Sequence, residues 1–185
     1  MKALGILHNL IVAALLLLWC IGPAAAQTAK LDDLFKALPT ASDEEAGQIT
    51  QNIWIEWSKS GSPAMDLLLQ RGRDALNAGH PQEAIEHFTA LIDHAPDFAE
   101  GYNARATAYF QTGDYGPSVS DIAKTLTLNP RHFGALSGLG MIFENLDEPA
   151  KALEVYKAAL AINPHMADIK DAIKRLEAKV GGQDL

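Results

Sequence analysis

The stretch that decides the fold is residues 102–130, YNARATAYFQTGDYGPSVSDIAKTLTLNP. It holds two runs with helical periodicity, separated at Gly113-Asp114-Tyr115 and closed by Asn129-Pro130. The same design stands on either side of it. Pro96, Pro130 and Pro164 lie 34 residues apart, and aligning the chain on them gives columns of like character. Leu68, Tyr102 and Leu136 make one apolar column; Gly72, Ala106 and Gly140 make a small one. Ala84, Ser118 and Ala152 are small again, and Phe88, Ile122 and Tyr156 are large. Gly79, Gly113 and Asp147 fall at the turn between two helices, where glycine supplies the positive φ that ends the first of them. The units 63–96, 97–130 and 131–164 are thus each read as a helical hairpin. Such a hairpin buries its apolar face only by stacking on a neighbour.

This order of large, small and aromatic columns, turn and closing proline resembles the tetratricopeptide repeat (TPR) in all three copies, across residues 65–164. Leu91, where a small residue is usual, and Asp147, where glycine is usual, depart from it. Beyond residue 26 the chain also resembles exported TPR proteins of alphaproteobacteria, through NIWIEW (52–57), FAEGYNAR (98–105) and NPRHFGAL (129–136). The resemblance implies an all-α fold, a right-handed α-solenoid of three TPR helix pairs whose first helices line a concave groove for partner peptides or helices. Carried onto this sequence, the groove presents Leu69, Arg73, Leu76 and Asn77 from the first unit. Asn103, Thr107, Phe110 and Gln111 follow from the second, and Met141, Glu144 and Asn145 from the third, with Glu100, Gly134 and Ser137 among them. Some TPR domains clamp a terminal carboxylate with Lys, Asn and Arg. Here Ala104, Gly134 and Gly138 stand where clamp side chains are expected, leaving Arg73 as the main groove cation. The partner implied is a protein or peptide, not identified by the sequence, that offers apolar side chains to Leu69, Leu76, Phe110 and Met141.

The flanks extend the pattern. Ser42-Asp43-Glu44-Glu45 reads as a capping box, and Ile49, Ile53, Trp54 and Trp57 give the helix it opens an apolar stripe. A shift of 34 places Trp54 on the Phe88 column, so residues 27–62 are expected to pack on the first unit as an N-terminal half-repeat. Residues 31–38 suggest a short helix ahead of it, ended at Pro39. Residues 165–180, with Met166, Ile169, Ile173, Leu176 and Val180 in a stripe, are expected to form the capping helix, and 181–185 a tail. Residues 1–26 have the parts of a secretory signal peptide: Lys2, the apolar run 10–21 and the small residues Ala24-Ala25-Ala26. Cleavage after Ala26 and a periplasmic location are expected. Retention of the segment as an anchor is the alternative and the only route to membrane contact.

Composition narrows the function. The 185 residues carry a formal charge of −8 and one cysteine. Residues 1–26 hold one of the 15 basic residues, none of the 23 acidic ones and the only cysteine, so the remaining 159 residues carry −9. That balance argues against nucleic acid, and the cysteine count against disulfides or thiol catalysis. No phosphate loop, HExxH or GxSxG motif occurs, so neither an enzyme nor a cofactor is expected. His80, His87 and His94 are seven apart, too far along one helix to share an ion. Arg105 and Asp121 occupy columns that hold Leu139 and Val155 in the third unit, a paired exchange that predicts a buried ion pair. Arg131-His132-Phe133, opening the third unit, reads either as a recognition patch or as a helix start packed on aromatic neighbours. Two functions stay open: an adaptor that docks a partner in the groove, and a structural subunit or assembly factor whose groove is filled by residues 27–60.

Overall fold

The structure, a computed structural model, describes residues 23–181. Nine α-helices run along these residues: α1 (Pro23–Ala37), α2 (Asp43–Trp57), α3 (Pro63–Asn77), α4 (Pro81–His94), α5 (Ala99–Thr112), α6 (Tyr115–Leu128), α7 (Phe133–Asn145), α8 (Pro149–Ile162) and α9 (Ala167–Gly181). A single 3-10 turn, Leu38–Thr40, follows α1. Local chemistry sets these boundaries. Pro63, Pro81 and Pro149 open α3, α4 and α8, where the missing N–H forfeits no helical hydrogen bond. Ser42 and Glu45 make the reciprocal bonds of a capping box at α2. Gly79 and Gly113 turn the first two hairpins at φ of +78° and +80°, and Asp147 takes the same role in the third at φ +55°.

The hairpins α3–α4, α5–α6 and α7–α8 stack in chain order, α4 on α5 and α6 on α7, and α9 closes the stack on α8. The small column is what lets each hairpin close. A Cβ placed on Gly72 would lie 2.2 Å from the Phe88 ring, and one on Gly140 would lie 2.3 Å from Tyr156. Phe88 and Tyr156 are accordingly buried. At the far end, Ile169, Ala172, Ile173 and Leu176 of α9 join Ala152 and Tyr156 in one cluster, as the stripe on residues 165–180 predicts.

At the other end the prediction fails in its partner. α2 forms, but it does not add a layer to the first unit. Leu38, Ala46, Ile53 and Trp57 form a core with Phe133, flanked by Phe35, Trp54, Ile162 and Met166. The N-terminal segment therefore seats on the beginning and end of the third unit. The physical reason is room for an indole: in the repeat register, the residue facing Trp54 is Leu38, in the column of Gly72, Ala106 and Gly140. α1 is also longer than residues 31–38. Residues 1–22 lie outside the described residues, and the bond predicted to be cleaved, after Ala26, falls within α1. Among the described residues no helix is long and apolar enough to cross a membrane.

Candidate functional site

The first helices of the three units carry the groove positions, and their side chains divide into three groups. Leu69 is a correction: at 2% exposure it belongs to the core with Phe88, Leu91, Ala104 and Ala108, because the alanines of α5 let that helix close over it. Leu76 packs half-buried against the same cluster. Glu144 is half-buried and tied to the cap, accepting from the Tyr156 hydroxyl at 2.8 Å and from Arg175 at 2.6 Å. Burial raises the Glu144 pKa, but these hydrogen bonds outweigh it and hold the carboxyl below its ordinary range.

A second group lines an open depression of about 200 Å³: Asn103, Thr107, Phe110, Ser137, Gly138 and Met141. Phe110 packs on Tyr115 with ring centroids 5.7 Å apart. Met141 is 45% exposed, the largest apolar surface of the depression left uncovered. The Thr107 hydroxyl donates to the Asn103 carbonyl of its own helix, so it faces the depression as an acceptor. Asn77, Gln111 and Asn145 are exposed outside this depression, and the Asn145 amide donates to the Met141 carbonyl.

The third group is an interior polar chain centred on Glu100, which is 3% exposed. Arg73 donates to one Glu100 oxygen at 2.5 Å and to the Ser58 hydroxyl at 3.0 Å. Asn103 donates to the other Glu100 oxygen at 3.2 Å. His132, fully buried, lies 3.0 Å from that oxygen through Nε2. Its Nδ1 accepts the Ala135 N–H at 3.0 Å, which assigns the proton of the neutral ring to Nε2 and makes it a donor to Glu100. The one strong groove cation is thereby spent on an internal carboxylate. Arg105 and Asp121 form the predicted pair, with two parallel bonds of 2.7 and 2.9 Å.

Over this chain lies the N-terminal segment, the feature that sequence reasoning placed elsewhere. Trp57 stacks on His132 with centroids 4.2 Å apart and an interplanar angle of 14°. Trp54 meets Phe133 edge-on at 5.6 Å, and a Cβ on Gly134 would fall 2.4 Å from its ring. Residues 131–133 are therefore a helix start packed on tryptophans rather than a free patch. Ion pairs ring the contact: Arg131 with Asp32 at 2.6 Å and His165 with Asp43 at 2.9 Å. Arg131 also covers the Phe35 ring at 4.3 Å. Within the segment, Glu56 is held by Lys30 and Lys59 at 2.6 and 2.7 Å, and those hydrogen bonds draw its carboxyl below the usual range. A cleft of about 620 Å³ remains between Gln27, Leu31, Trp57 and Lys59 on one side and Phe98 and Arg131 on the other. Among the described residues no group of three or more His, Cys, Asp or Glu side chains is placed to hold a metal ion.

Comparison with known proteins adds the following. Two family profiles, each described as a tetratricopeptide repeat, match residues 69–117 and 133–166. A TPR repeat-containing protein of Rhizobium etli is 35% identical over 154 residues, 83% of this chain and 76% of that protein. The SGT1 homolog of Bos taurus is 35% identical over 121 residues, 65% of this chain but 36% of that protein. The chain thus spans about a third of the bovine relative. Among solved structures, the first TPR of Spaghetti (RPAP3) bound to an HSP90 peptide superposes with a TM-score of 0.60 at 22% identity, covering 63% of this chain and 93% of that one. MamA superposes with a TM-score of 0.60 at 21% identity, covering 85% of this chain and 84% of that one. At these identities the likeness is one of fold.

Proposed function

Because the chain belongs to the tetratricopeptide-repeat family, we propose that it is an exported, periplasmic interaction module that docks a segment of a partner protein on its concave face. The observation that carries this is the open depression at Phe110 and Met141, apolar at its floor and uncovered by any part of the described chain. Its ligand presents apolar side chains and no terminal carboxylate. Arg73 is bound to Glu100, and Ala104, Gly134 and Gly138 offer no donor, so a peptide of the kind held by RPAP3 finds no cation here. No catalytic or cofactor role, and no nucleic-acid role, is proposed.

The test is a photo-crosslinking residue at position 141 of the chain in the cell envelope, with position 119, the exposed valine of α6, as the control. A partner adduct at 141 that is absent at 119 and lost on Phe110→Glu supports the docking face. Equal adducts at both positions, or none at 141, refute it. Mass spectrometry of the exported protein reads the N-terminus: Gln27 supports cleavage and Met1 an anchored form. The second reading, a groove filled by the chain's own N-terminal segment, is favoured over one stretch only, where Trp54 seats against Gly134.

A further inference from the structure

The contact between residues 23–58 and the solenoid is built like a protein–protein interface, not like a repeat–repeat one. Its centre is aromatic, with Trp54, Trp57 and Phe35 against His132 and Phe133. Its rim is charged and open to water: Asp32 is 59% and Asp43 97% exposed in their ion pairs with Arg131 and His165. An aromatic centre inside a polar rim is the usual anatomy of exchangeable partners.

Around Glu100 the receptor side is complete without the segment, and the solenoid groups that do bond to it, Asn163 to Thr50 and His165 to Asp43 and the Leu38 carbonyl, lie at the contact and pass to water when it leaves. Glu100 is satisfied by Arg73, Asn103 and His132, and His132 by Glu100 and the Ala135 N–H, all of them solenoid groups. The buried Glu56, on the other side, is satisfied by Lys30 and Lys59, which belong to the segment and its linker and leave with it. Departure therefore strands no buried charge. It uncovers an aromatic shelf and the notch at Gly134. The connection, residues 58–62, is tied to α3 by exchangeable side-chain bonds, Ser60 to Asp66 at 2.6 and 2.8 Å and Arg73 to Ser58 at 3.0 Å, and it turns at Gly61 at φ +84°, so it keeps a departed segment close to its seat.

We propose that the segment is an intramolecular ligand, and that the shelf at residues 132–134 is a docking site for an amphipathic partner helix bearing two aromatic residues three apart, as Trp54 and Trp57 are. This deepens the reading of the chain as an interaction module. The partner displaces the tethered helix, whose high local concentration otherwise lowers its apparent affinity.

The test uses the full chain and, as probe, a fluorescent peptide of residues 42–60, read by anisotropy. The Trp54→Ala/Trp57→Ala chain is expected to bind the peptide at least ten-fold more tightly than the wild type. Adding Gly134→Val to that chain, or Trp57→Ala with Ser58→Trp in the peptide, is expected to abolish the gain. Equal binding by wild type and double variant, or binding indifferent to Gly134→Val and to the aromatic spacing, overturns the proposal. Where the double variant loses helicity, a protease site placed between Ser60 and Gly61 of the wild-type chain asks the same question. Exchange of the cut segment for excess peptide supports the proposal, and its retention overturns it. Gly134 also lines the Phe110–Met141 depression; the peptide-spacing variant and the protease arm leave that depression unaltered, so through them this inference and the docking proposal fail separately.

Discussion

Exchanging Arg105 and Asp121 for the residues the third unit uses in their place measures how the second unit tolerates a charge in its interior. The pair is bidentate, at 2.7 and 2.9 Å, with side chains 18% and 8% exposed. The two singles are not equivalent. After Asp121→Val the guanidinium keeps the Thr89 hydroxyl at 3.1 Å and lies 5.8–6.0 Å from the Tyr109 and Tyr102 rings, with some access to water. Its loss is that of charge-assisted hydrogen bonds, about 1.5–3 kcal/mol. Arg105→Leu leaves a carboxylate with no side-chain donor in a buried position, which costs about 3–5 kcal/mol. For a chain of this size that lowers Tm by about 6–20 °C. The double variant rebuilds the Leu139–Val155 arrangement and is expected within about 1 kcal/mol of wild type. Urea and thermal unfolding followed by circular dichroism give all four corners of the cycle. The expected coupling is at least about 3 kcal/mol. Singles that add to within about 0.5 kcal/mol would refute the idea that the two charges stabilise one another.

Acid is expected to loosen the N-terminal segment, as it does the Glu144 and Asp147 ties of the α9 cap. Glu56, through Lys30 and Lys59, and Asp43, through His165, are held below their ordinary pKa values. Carboxyls lowered in the fold contribute stability that is present above about pH 4–5 and is lost as pH falls through the lower folded value. Tryptophan fluorescence is therefore expected to hold steady from pH 8 to about 5 and to shift below about 4, with Lys30→Met moving the change to higher pH. Gly72→Ala and Gly140→Ala are expected to cost about 1–3 kcal/mol by driving a methyl into Phe88 or Tyr156. Gly138→Ala meets its first neighbour only at 3.8 Å and is expected to stabilise by about 0.4–1 kcal/mol, measured by the same unfolding curves. Asp147→Gly relieves a left-handed backbone worth about 1–2 kcal/mol and gives up only an exposed bridge to Lys179, so a rise in Tm is expected.

Within a unit, the sequence carried nearly everything. Hairpin boundaries follow from the proline, glycine and capping positions, and the Arg105–Asp121 pair from comparing two columns. The boundaries are short-range relations repeated along the units, which makes them visible, and the pair is visible as a departure from the columns that repetition defines. The groove was less legible, for a reason of distance. Arg73 and Glu100 are 27 residues apart, and no local rule says that the one cation of the concave face is already bound. Leu69 carries the right helical phase for a groove residue. What buries it is the closeness of α5, set by Ala104 and Ala108 on another unit.

The N-terminal segment shows where periodicity misleads. Placing Trp54 on the Phe88 column identifies a large residue but not the gap that a large residue needs. In the units, that gap is the small column, where Gly72 admits Phe88 and Gly140 admits Tyr156. Stepping back from Gly72 by 34 gives Leu38, which fills the space itself and is fully buried in the segment's own core. A half-repeat at the N-terminus is therefore without a seat for its indole. The seat exists at Gly134, where the ring takes the volume a Cβ would occupy. A direct check is to supply the missing gap: Leu38→Gly opens space in the segment, while Gly134→Val closes the seat on α7. If room for the indole decides the placement, Gly134→Val alone is expected to separate Trp57 from His132, read as a change in tryptophan fluorescence with unfolding of the solenoid unaltered. A fluorescence spectrum indifferent to Gly134→Val would mean that the charged rim, not the tryptophans, holds the segment where it lies.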